Sequence, residues 1–241
     1  MARKPARKPS RPARAARSTV ANGPNAAIGE RDKIVAALLA LLAEKPFEEI
    51  GFADIAGRSG VSLAQFRGEF PSKLAIIAAH MKATDHAVLS EDFGDMSEEP
   101  ARERLFDVLM RRLEILAPHR EAVRSLLRSA RRNPPLAFAL NALAVRSQQW
   151  MLTAAGINAS GARGVIRAQG LAVLFSSVLR TWIDDEDSGL ARTLAGLDRA
   201  LARGQRLGGF LDDLYCIPAG LCRLRGRRRR RHEESEEPAA A

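Results

Sequence analysis

The chain has 241 residues, of which 46% are hydrophobic and 5% aromatic. This composition excludes a wholly disordered polypeptide, and the length allows one large core or two small ones. Leucine and alanine dominate the apolar residues, and both favour helices over sheets. We therefore predict an all-α fold.

The formal net charge of +10 is concentrated at the two ends of the chain. Residues 1–20 contain seven Lys/Arg and no acidic residue, and residues 223–231 contain seven Arg. Without these 14 residues and the four glutamates of residues 232–241, 24 basic and 24 acidic residues are left. We predict a disordered basic tail at residues 1–28 and an Arg-rich, disordered tail at residues 208–241, each attracted to polyanions in a salt-dependent way.

No targeting or membrane segment is predicted. The Arg-rich start has the composition of an organelle transit peptide, but its prolines oppose an amphipathic helix. The longest apolar run, residues 34–43, is shorter than the ~20 residues of a membrane helix. Cys216 and Cys222, the only cysteines, have the spacing of neither a disulfide framework nor a zinc site. We expect a cytoplasmic protein without a membrane partner.

The sequence has none of the common catalytic motifs. It contains no GxxxxGK[ST] phosphate loop, no HExxH and no GxSxG. None of the four histidines has another at i+4, so no helix face offers two imidazoles to a metal. The acidic run at residues 184–187 lacks the spacing of a calcium loop and predicts a solvated helix end. We expect no enzyme, no cofactor and no metal.

The first predicted elements are two helices. Apolar residues with helical spacing predict a helix over about residues 30–44, namely Ile34, Ala37, Leu38, Leu41 and Leu42. A short second helix follows from Phe52 to about Arg58, burying Phe52, Ile55 and Ala56. Gly60 supplies the positive φ that a sharp turn after this helix requires.

The third helix is predicted to begin at Leu63. Ser62 is a good N-cap and Gln65 completes a capping box. Phe66 and Phe70 anchor one face on the first two helices, and Val61 can form a hydrophobic staple with Phe66. The opposite face is small and polar, formed by Leu63, Ala64, Gln65, Arg67 and Gly68. Two short helices joined by a tight turn in this way form a helix-turn-helix, whose second helix fits the DNA major groove.

The rest of the chain, about residues 97–207, predicts five or so further helices. One stripe comprises Leu105, Val108, Leu109, Leu113 and Leu116, and the next comprises Val123, Leu126 and Leu127. A third helix covers Phe138 to Trp150. Residues 165–183 are apolar on more than one face, as in a helix that lies both in a core and at a partner surface.

Residues 30–80 resemble the DNA-binding domain of the TetR/AcrR regulators. The run FADIAGRSGVSLAQFRGEFPSKLAI matches that family at Ile55, Ala56, Gly60, Val61, Ser62, Phe66, Phe70, Ser72 and Lys73. Two positions depart from it. Arg67 stands where the family usually has a phosphate-contacting tyrosine, and Glu69 where it usually has histidine. A glutamate there repels phosphates unless it points away or pairs with Arg67 or Lys73.

The resemblance implies a ligand-responsive repressor that binds a palindromic operator as a homodimer. Residues 29–80 would form the DNA-binding domain, with double-stranded DNA as partner. Gln65 would read adenine, Leu63 or Ala64 would touch a thymine methyl, and Arg67 and Lys73 would contact phosphates. Ser62 and Ser72 would cap the two helices that face the duplex.

The resemblance also assigns residues 81–207 to ligand binding and dimerisation. The last two long helices of this region, residues 162–183 and 188–206, would form the homodimer interface. A small hydrophobic ligand would lie among the middle helices, where the candidate lining residues are Trp150, Gln169, Phe175, Ser176 and Trp182.

One alternative keeps the fold without the DNA. Residues 181–201 are also similar to the end of ubiquinone-biosynthesis lipid-binding proteins, which share the TetR architecture. This favours a lipid or small-molecule binding protein that does not bind DNA specifically. Apolar residues beside the arginines near the end of the chain would then suit a membrane surface, although disorder is the prediction we prefer for that tail.

Overall fold

A computed structural model of the chain describes residues 29–91 and 99–205. The regular elements in these ranges are helices, as predicted. They are α1 Glu30–Glu44, α2 Phe52–Ser59, α3 Leu63–Glu69, α4 Lys73–Leu89, α5 Ala101–Leu116, α6 Arg120–Arg132, α7 Pro134–Ala154, α8 Gly161–Ile183 and α9, residues 191–205. Short 3-10 turns occupy Phe47–Glu49 and Ala117–His119. The two predicted tails, and the end of the last predicted helix at residue 206, lie outside the described residues.

The first core joins α1 to α4. The apolar stripe of α1 is buried as predicted, together with Ile55, Phe66, Phe70, Ile76 and Ile77. Burial of Phe52 was a wrong prediction, because its side chain is 49% exposed. Its ring instead meets Phe66 edge to face, with centroids 5.6 Å apart. α2 is therefore anchored mainly by Ile55 and Ala56.

The second core is built by α5, α7, α8 and α9. The predicted α5 stripe is buried in full, and it packs with Met151, Phe175, Trp182 and Leu197. The predicted stripe of α6 is only half-buried at Val123, Leu126 and Leu127. α6 lies between the two cores, because Val123 and Leu127 pack against the second and Leu126 against the first.

The predicted division at residue 80 falls inside a continuous helix. α4 contributes Ile76 and Ile77 to the first core and Val88 to the second. Leu140 and Leu143 of α7 also pack against the first core. The DNA-binding domain of the prediction is thus packed on the body of the protein through several helices.

α6 is bonded to the first core at its C-terminal half. The Ser125 hydroxyl donates to the Lys45 carbonyl at 3.2 Å, and the Phe47 amide donates to the Ser129 hydroxyl at 3.2 Å. Both bonds reach the segment between α1 and α2. They fix the turn that leads into α2.

The N-terminal half of α6 binds the end of α8. Arg120 donates to the Asp185 carbonyl at 2.8 Å, and Arg124 donates to the Ile183 carbonyl. Cationic donors at a helix C-terminus satisfy free carbonyls and complement the helix dipole. α6 therefore connects the segment before α2 to the end of α8.

The acidic run at residues 184–187 is only partly solvated, which corrects the prediction. Asp185 is 1% exposed, and its carboxylate accepts bonds from the Thr193 amide at 2.8 Å and the Thr193 hydroxyl at 2.7 Å. These bonds from Thr193 hold the pKa of Asp185 below its usual value. Asp185 thereby satisfies an amide in the first turn of α9.

A buried ion pair ties four helices together. Arg112 of α5 pairs with Asp85 of α4, and the Ser147 hydroxyl of α7 donates to the same carboxylate oxygen at 2.7 Å. The Arg112 guanidinium also lies 5.8 Å from the centroid of the Phe175 ring in α8. Removing one partner of such a pair costs about 3–5 kcal/mol, because the other charge is left buried and unpaired.

By length and composition, α8 is the one helix in the described ranges that could reach across a bilayer. The helix of a protein core passes the same test, and α8 contributes Phe175, Val178 and Trp182 to the second core.

His80 makes the folding stability depend on pH. Burial, then the neighbouring His119 and Arg112, lower the pKa of His80 from 6.5 to about 4. The ring of His119 lies edge to face, with its centroid 5.1 Å away. Below pH 6.5 the unfolded chain binds a proton at His80 that the folded chain does not bind until about pH 4. Above pH 6.5, His80 therefore does not lower the free energy of unfolding. As the pH falls toward 4, His80 lowers it progressively.

Between pH 6.5 and 4 the free energy of unfolding falls. We predict that His80→Gln makes this fall smaller by about 2–3 kcal/mol. Urea unfolding at a series of pH values measures it. The exposed His86, changed to Gln, is the matched control. Identical pH profiles for His80→Gln and the wild type would contradict the prediction.

Candidate nucleic-acid interface

The turn between α2 and α3 has the predicted glycine geometry. Gly60 ends α2 with φ at 70° and ψ at 20°, and the Val61 amide donates to the Ala56 carbonyl at 3.3 Å. A β-carbon would strain this backbone conformation. The tight turn therefore depends on glycine at position 60.

The predicted capping box fixes the start of α3. The Gln65 amide donates to the Ser62 hydroxyl at 3.3 Å, and the Ser62 amide donates to the Gln65 side-chain oxygen at 3.0 Å. Such a cap contributes about 1 kcal/mol. α3 begins at Leu63, as predicted, and ends at Glu69.

α3 has one buried and one exposed face. Phe66 and Phe70 are almost completely buried in the first core. Leu63 is 58% exposed, and the other outward residues are Ala64, Gln65, Arg67 and Gly68. The predicted faces of this helix are confirmed.

Gln65 is held by α1, which sequence reasoning missed. Its side-chain nitrogen donates to a Glu30 carboxylate oxygen at 2.7 Å, while its oxygen serves the Ser62 cap. Both ends of the amide are thus used within the domain. Reading an adenine would require Gln65 to release Glu30, so that role stays a prediction.

Glu69 is paired, but with a residue other than the predicted Arg67 or Lys73. Arg31 lies 3.5 Å from a Glu69 carboxylate oxygen and donates to the Glu69 carbonyl at 3.2 Å. Its guanidinium also stacks 4.3 Å from the centroid of the Phe70 ring. The first turn of α1 therefore partly neutralises the unfavourable carboxylate and holds the end of α3.

Lys73 points into the protein, which corrects the phosphate-contact geometry expected for it. Its ammonium donates to the Phe47 carbonyl at 2.8 Å and the Ile50 carbonyl at 2.7 Å, and lies 4.3 Å from the centroid of the Phe47 ring. Burial lowers the pKa of Lys73. Ser72 does cap α4 as predicted, since its hydroxyl accepts from the Ala75 amide at 3.2 Å.

Two further ion pairs neutralise carboxylates around α2. Arg58 binds both oxygens of Glu44, at 2.9 and 2.7 Å, and Lys45 donates to Asp54 at 2.8 Å. Arg67 is different, because it makes no hydrogen bond or ion pair with the part of the chain that the structure describes. It is therefore an exposed cation on α3.

The residues predicted to line a ligand pocket differ in their surroundings. Trp150 is 55% exposed, so its role as a lining residue stays a prediction. Gln169 exchanges two amide hydrogen bonds with Asn141, and the Ser176 hydroxyl donates to a carbonyl of its own helix. Phe175 and Trp182 alone among the five belong to the second core.

Seven buried side-chain polar atoms have no hydrogen-bond partner within the described ranges. Among them are the Gln148 side-chain oxygen and the Trp182 ring nitrogen, and Arg120 lies 4.7 Å from the Trp182 ring. Among the same residues, no group of three or more His, Cys, Asp or Glu is arranged to hold a metal ion.

We predict that Lys73→Met lowers the free energy of unfolding by about 2 kcal/mol, because two partly buried carbonyls lose a charged donor. Urea denaturation measures the change, and exposed Lys82→Met is the control. Equal stabilities of the two variants would refute the structural role of Lys73.

Comparison with known proteins supports the fold. No family model and no curated protein matches the chain. A TetR transcriptional regulator from Nitrosomonas europaea ATCC 19718 is similar in structure, with a TM-score of 0.56 and 24% identity over 73% of this chain and 97% of its own. Another, from Rhodococcus sp. RHA1, has a TM-score of 0.50 and 20% identity over 73% of this chain and 95% of its own. The chain therefore has the fold of the TetR-type transcriptional regulators.

Proposed function

We propose that this chain is a cytoplasmic, non-enzymatic transcriptional regulator that binds double-stranded DNA through α3. The main support for this function is the way in which the fold exposes one face of α3 to solvent. Its aromatic face is buried, its start is capped, and its outer face, which includes Arg67, is exposed. A helix with a small and polar outer face can enter the major groove.

Charge pairing supports the same function. Three carboxylates near the helix-turn-helix, those of Glu44, Asp54 and Glu69, are each paired with a basic residue. Arg67 has no ion-pair partner among the described residues, so it is the strongest candidate for a phosphate contact. Leu63 and Ala64 are then the candidates for thymine methyl groups.

The proposal includes a homodimer formed through α8 and α9. Exposed residues recur on α8 at spacings of four and three, which is typical of a helix seam: Ala162, Ile166, Gly170, Val173, Ser177 and Arg180. Three of them, Ala162, Gly170 and Ser177, are small, and a β-carbon on Gly170 would meet nothing within 4 Å in a single chain. A second copy could therefore approach this face closely. Two-fold symmetry would place half-sites about 34–36 Å apart.

We also propose that the protein responds to a ligand and represses transcription. A small, largely apolar ligand with one polar group could satisfy the unpaired polar atoms of Gln148 or Trp182 in the body. Release from DNA on ligand binding would make the protein a repressor.

The alternative of a lipid or small-molecule binding protein has one observation in its favour. The side chains of Gln65 and Lys73, both predicted to contact DNA, are engaged within the domain. Failure of the wild-type chain to select any fragment from genomic DNA would favour this alternative.

We predict that Arg67→Ala weakens binding to a fragment selected from genomic DNA at least fivefold and lowers the salt slope by about 1 per protomer. Fluorescence anisotropy over a range of salt concentrations measures both. Arg128 of α6 is also exposed and has no hydrogen-bond partner in the described ranges, so Arg128→Ala is the matched control. Equal losses for the two variants would contradict the assignment of α3.

We predict that Val173→Glu gives a folded monomer, because a charge would be buried in the α8 seam. Sedimentation equilibrium and circular dichroism measure mass and fold. Leu63→Glu is the control, since Leu63 and Val173 are 58% and 57% exposed. A dimer that survives Val173→Glu would place the interface elsewhere.

A further inference from the structure

The side-chain oxygen of Gln65 is fully used inside the helix-turn-helix. It accepts one bond from the Ser62 amide at 3.0 Å and another from the Ser62 hydroxyl at 2.7 Å. An amide oxygen has two lone pairs, so both are occupied. The backbone amide of Ser62 can only donate, which fixes the Gln65 side chain with its oxygen toward the cap. Gln65 therefore keeps no acceptor for a base while the cap is intact.

Glu30 is an exposed acceptor at the same edge of α3. Its Oε1 atom accepts from the Gln65 side-chain nitrogen at 2.7 Å, and both side chains are exposed. Among the described residues, Gln65 is the one hydrogen-bond partner of this carboxylate. A carboxylate has about four lone-pair sites. Most of the accepting capacity of Glu30, including all of Oε2, is therefore unused in that part of the chain.

The Gln65 nitrogen also has a hydrogen left. A side-chain amide nitrogen carries two, and Glu30 accepts one of them. The two side chains together therefore offer one donor from α3 and an acceptor from α1. A glutamine that reads adenine offers the same combination by itself, with its own oxygen as the acceptor. Here Glu30 supplies the acceptor that Gln65 uses for the cap.

A carboxylate beside the recognition helix distinguishes bases by their polar groups. In the major groove, cytosine N4 and adenine N6 are donors, whereas guanine O6 and N7 and thymine O4 are acceptors. The carboxylate of Glu30 would accept from an amino group and be repelled by these acceptors. Phosphates would repel it as well, so the DNA backbone is not a partner for it.

We propose that Glu30 is a specificity-determining residue, which accepts a hydrogen bond from an exocyclic amino group at one position of each half-site. The amino group is N4 of cytosine or N6 of adenine. This inference rests on the proposed function of α3. Gln65 holds the carboxylate in place and donates its remaining hydrogen to a neighbouring base. Glu30 thus reads a base from the first turn of α1, outside the helix-turn-helix.

The base preference at each position of the half-site tests the proposal. Each base pair of a duplex that the wild-type chain selects from genomic DNA is changed in turn to the other three, and fluorescence anisotropy gives the affinities. For the wild type, we expect one position at which guanine or thymine binds at least about fivefold more weakly than the amino-bearing base. For Glu30→Gln, we expect this ratio to fall below about twofold, because an amide donates as well as accepts.

Asp32→Asn is the matched control, since Asp32 is an exposed carboxylate in the same turn of α1. Both variants remove one negative charge, so both should gain affinity for any duplex, but Asp32→Asn should keep the wild-type base preference. The oxygen of the new amide in Glu30→Gln can still accept the bond from Gln65. If Glu30 only positioned Gln65, this variant would keep the wild-type preference, and that result would overturn the proposal.

Methylation of the amino group identifies the atom that is read. N4-methylcytosine or N6-methyladenine, according to the base selected, places a methyl group in the groove where the carboxylate would lie. We expect the wild type to bind the methylated duplex at least about fivefold more weakly, and Glu30→Ala to bind both duplexes equally. An equal loss for the two proteins would assign the amino group to another residue and overturn the proposal.

The proposed function and this inference fail in distinguishable ways. A wild-type chain that selects no fragment refutes DNA recognition by α3, and the inference falls with it. If the wild type selects a fragment and Arg67→Ala weakens its binding, the function stands. An unchanged base preference in Glu30→Gln then refutes the inference alone.

Discussion

The short length of α3 is the constraint on which the proposed function depends. Seven residues are too few for a stable isolated helix, so tertiary contacts must define its position. Ser62 fixes its start, Phe66 and Phe70 fix its inner face, and the first turn of α1 binds it near both ends. The outer face is thereby presented in one orientation without taking part in the core.

Electrostatics around this helix follow the same arrangement. Glu69 would repel a duplex, but Arg31 offsets its charge from the neighbouring helix. Lys73 shows the opposite behaviour. Its positive charge would suit a phosphate, but its ammonium points inward, where it binds two carbonyls and lies over an aromatic ring. Residue type alone therefore does not decide which charges are exposed on the proposed DNA-binding face. The partner that each charge finds within the fold decides it.

Local patterns in the sequence were enough to predict much of the fold. The cap at Ser62, the turn at Gly60 and the two faces of α3 depend on residues within about ten positions of each other, and all were predicted correctly. The partners of Gln65 and Glu69 lie 35 and 38 residues away, so no local pattern could reveal them. The exposure of Trp150 could not be predicted for a related reason. Helical spacing gives the faces of a helix but not which of them another helix covers.

The buried Asp85–Arg112 pair has a consequence for how this sequence can change over time. Either residue alone can be lost only through a destabilised intermediate, whereas an apolar replacement of both at once is close to neutral. Ser147 donates to the same carboxylate oxygen and shares that constraint. Among related sequences, these three positions should be retained together or exchanged together, although they are carried by three different helices.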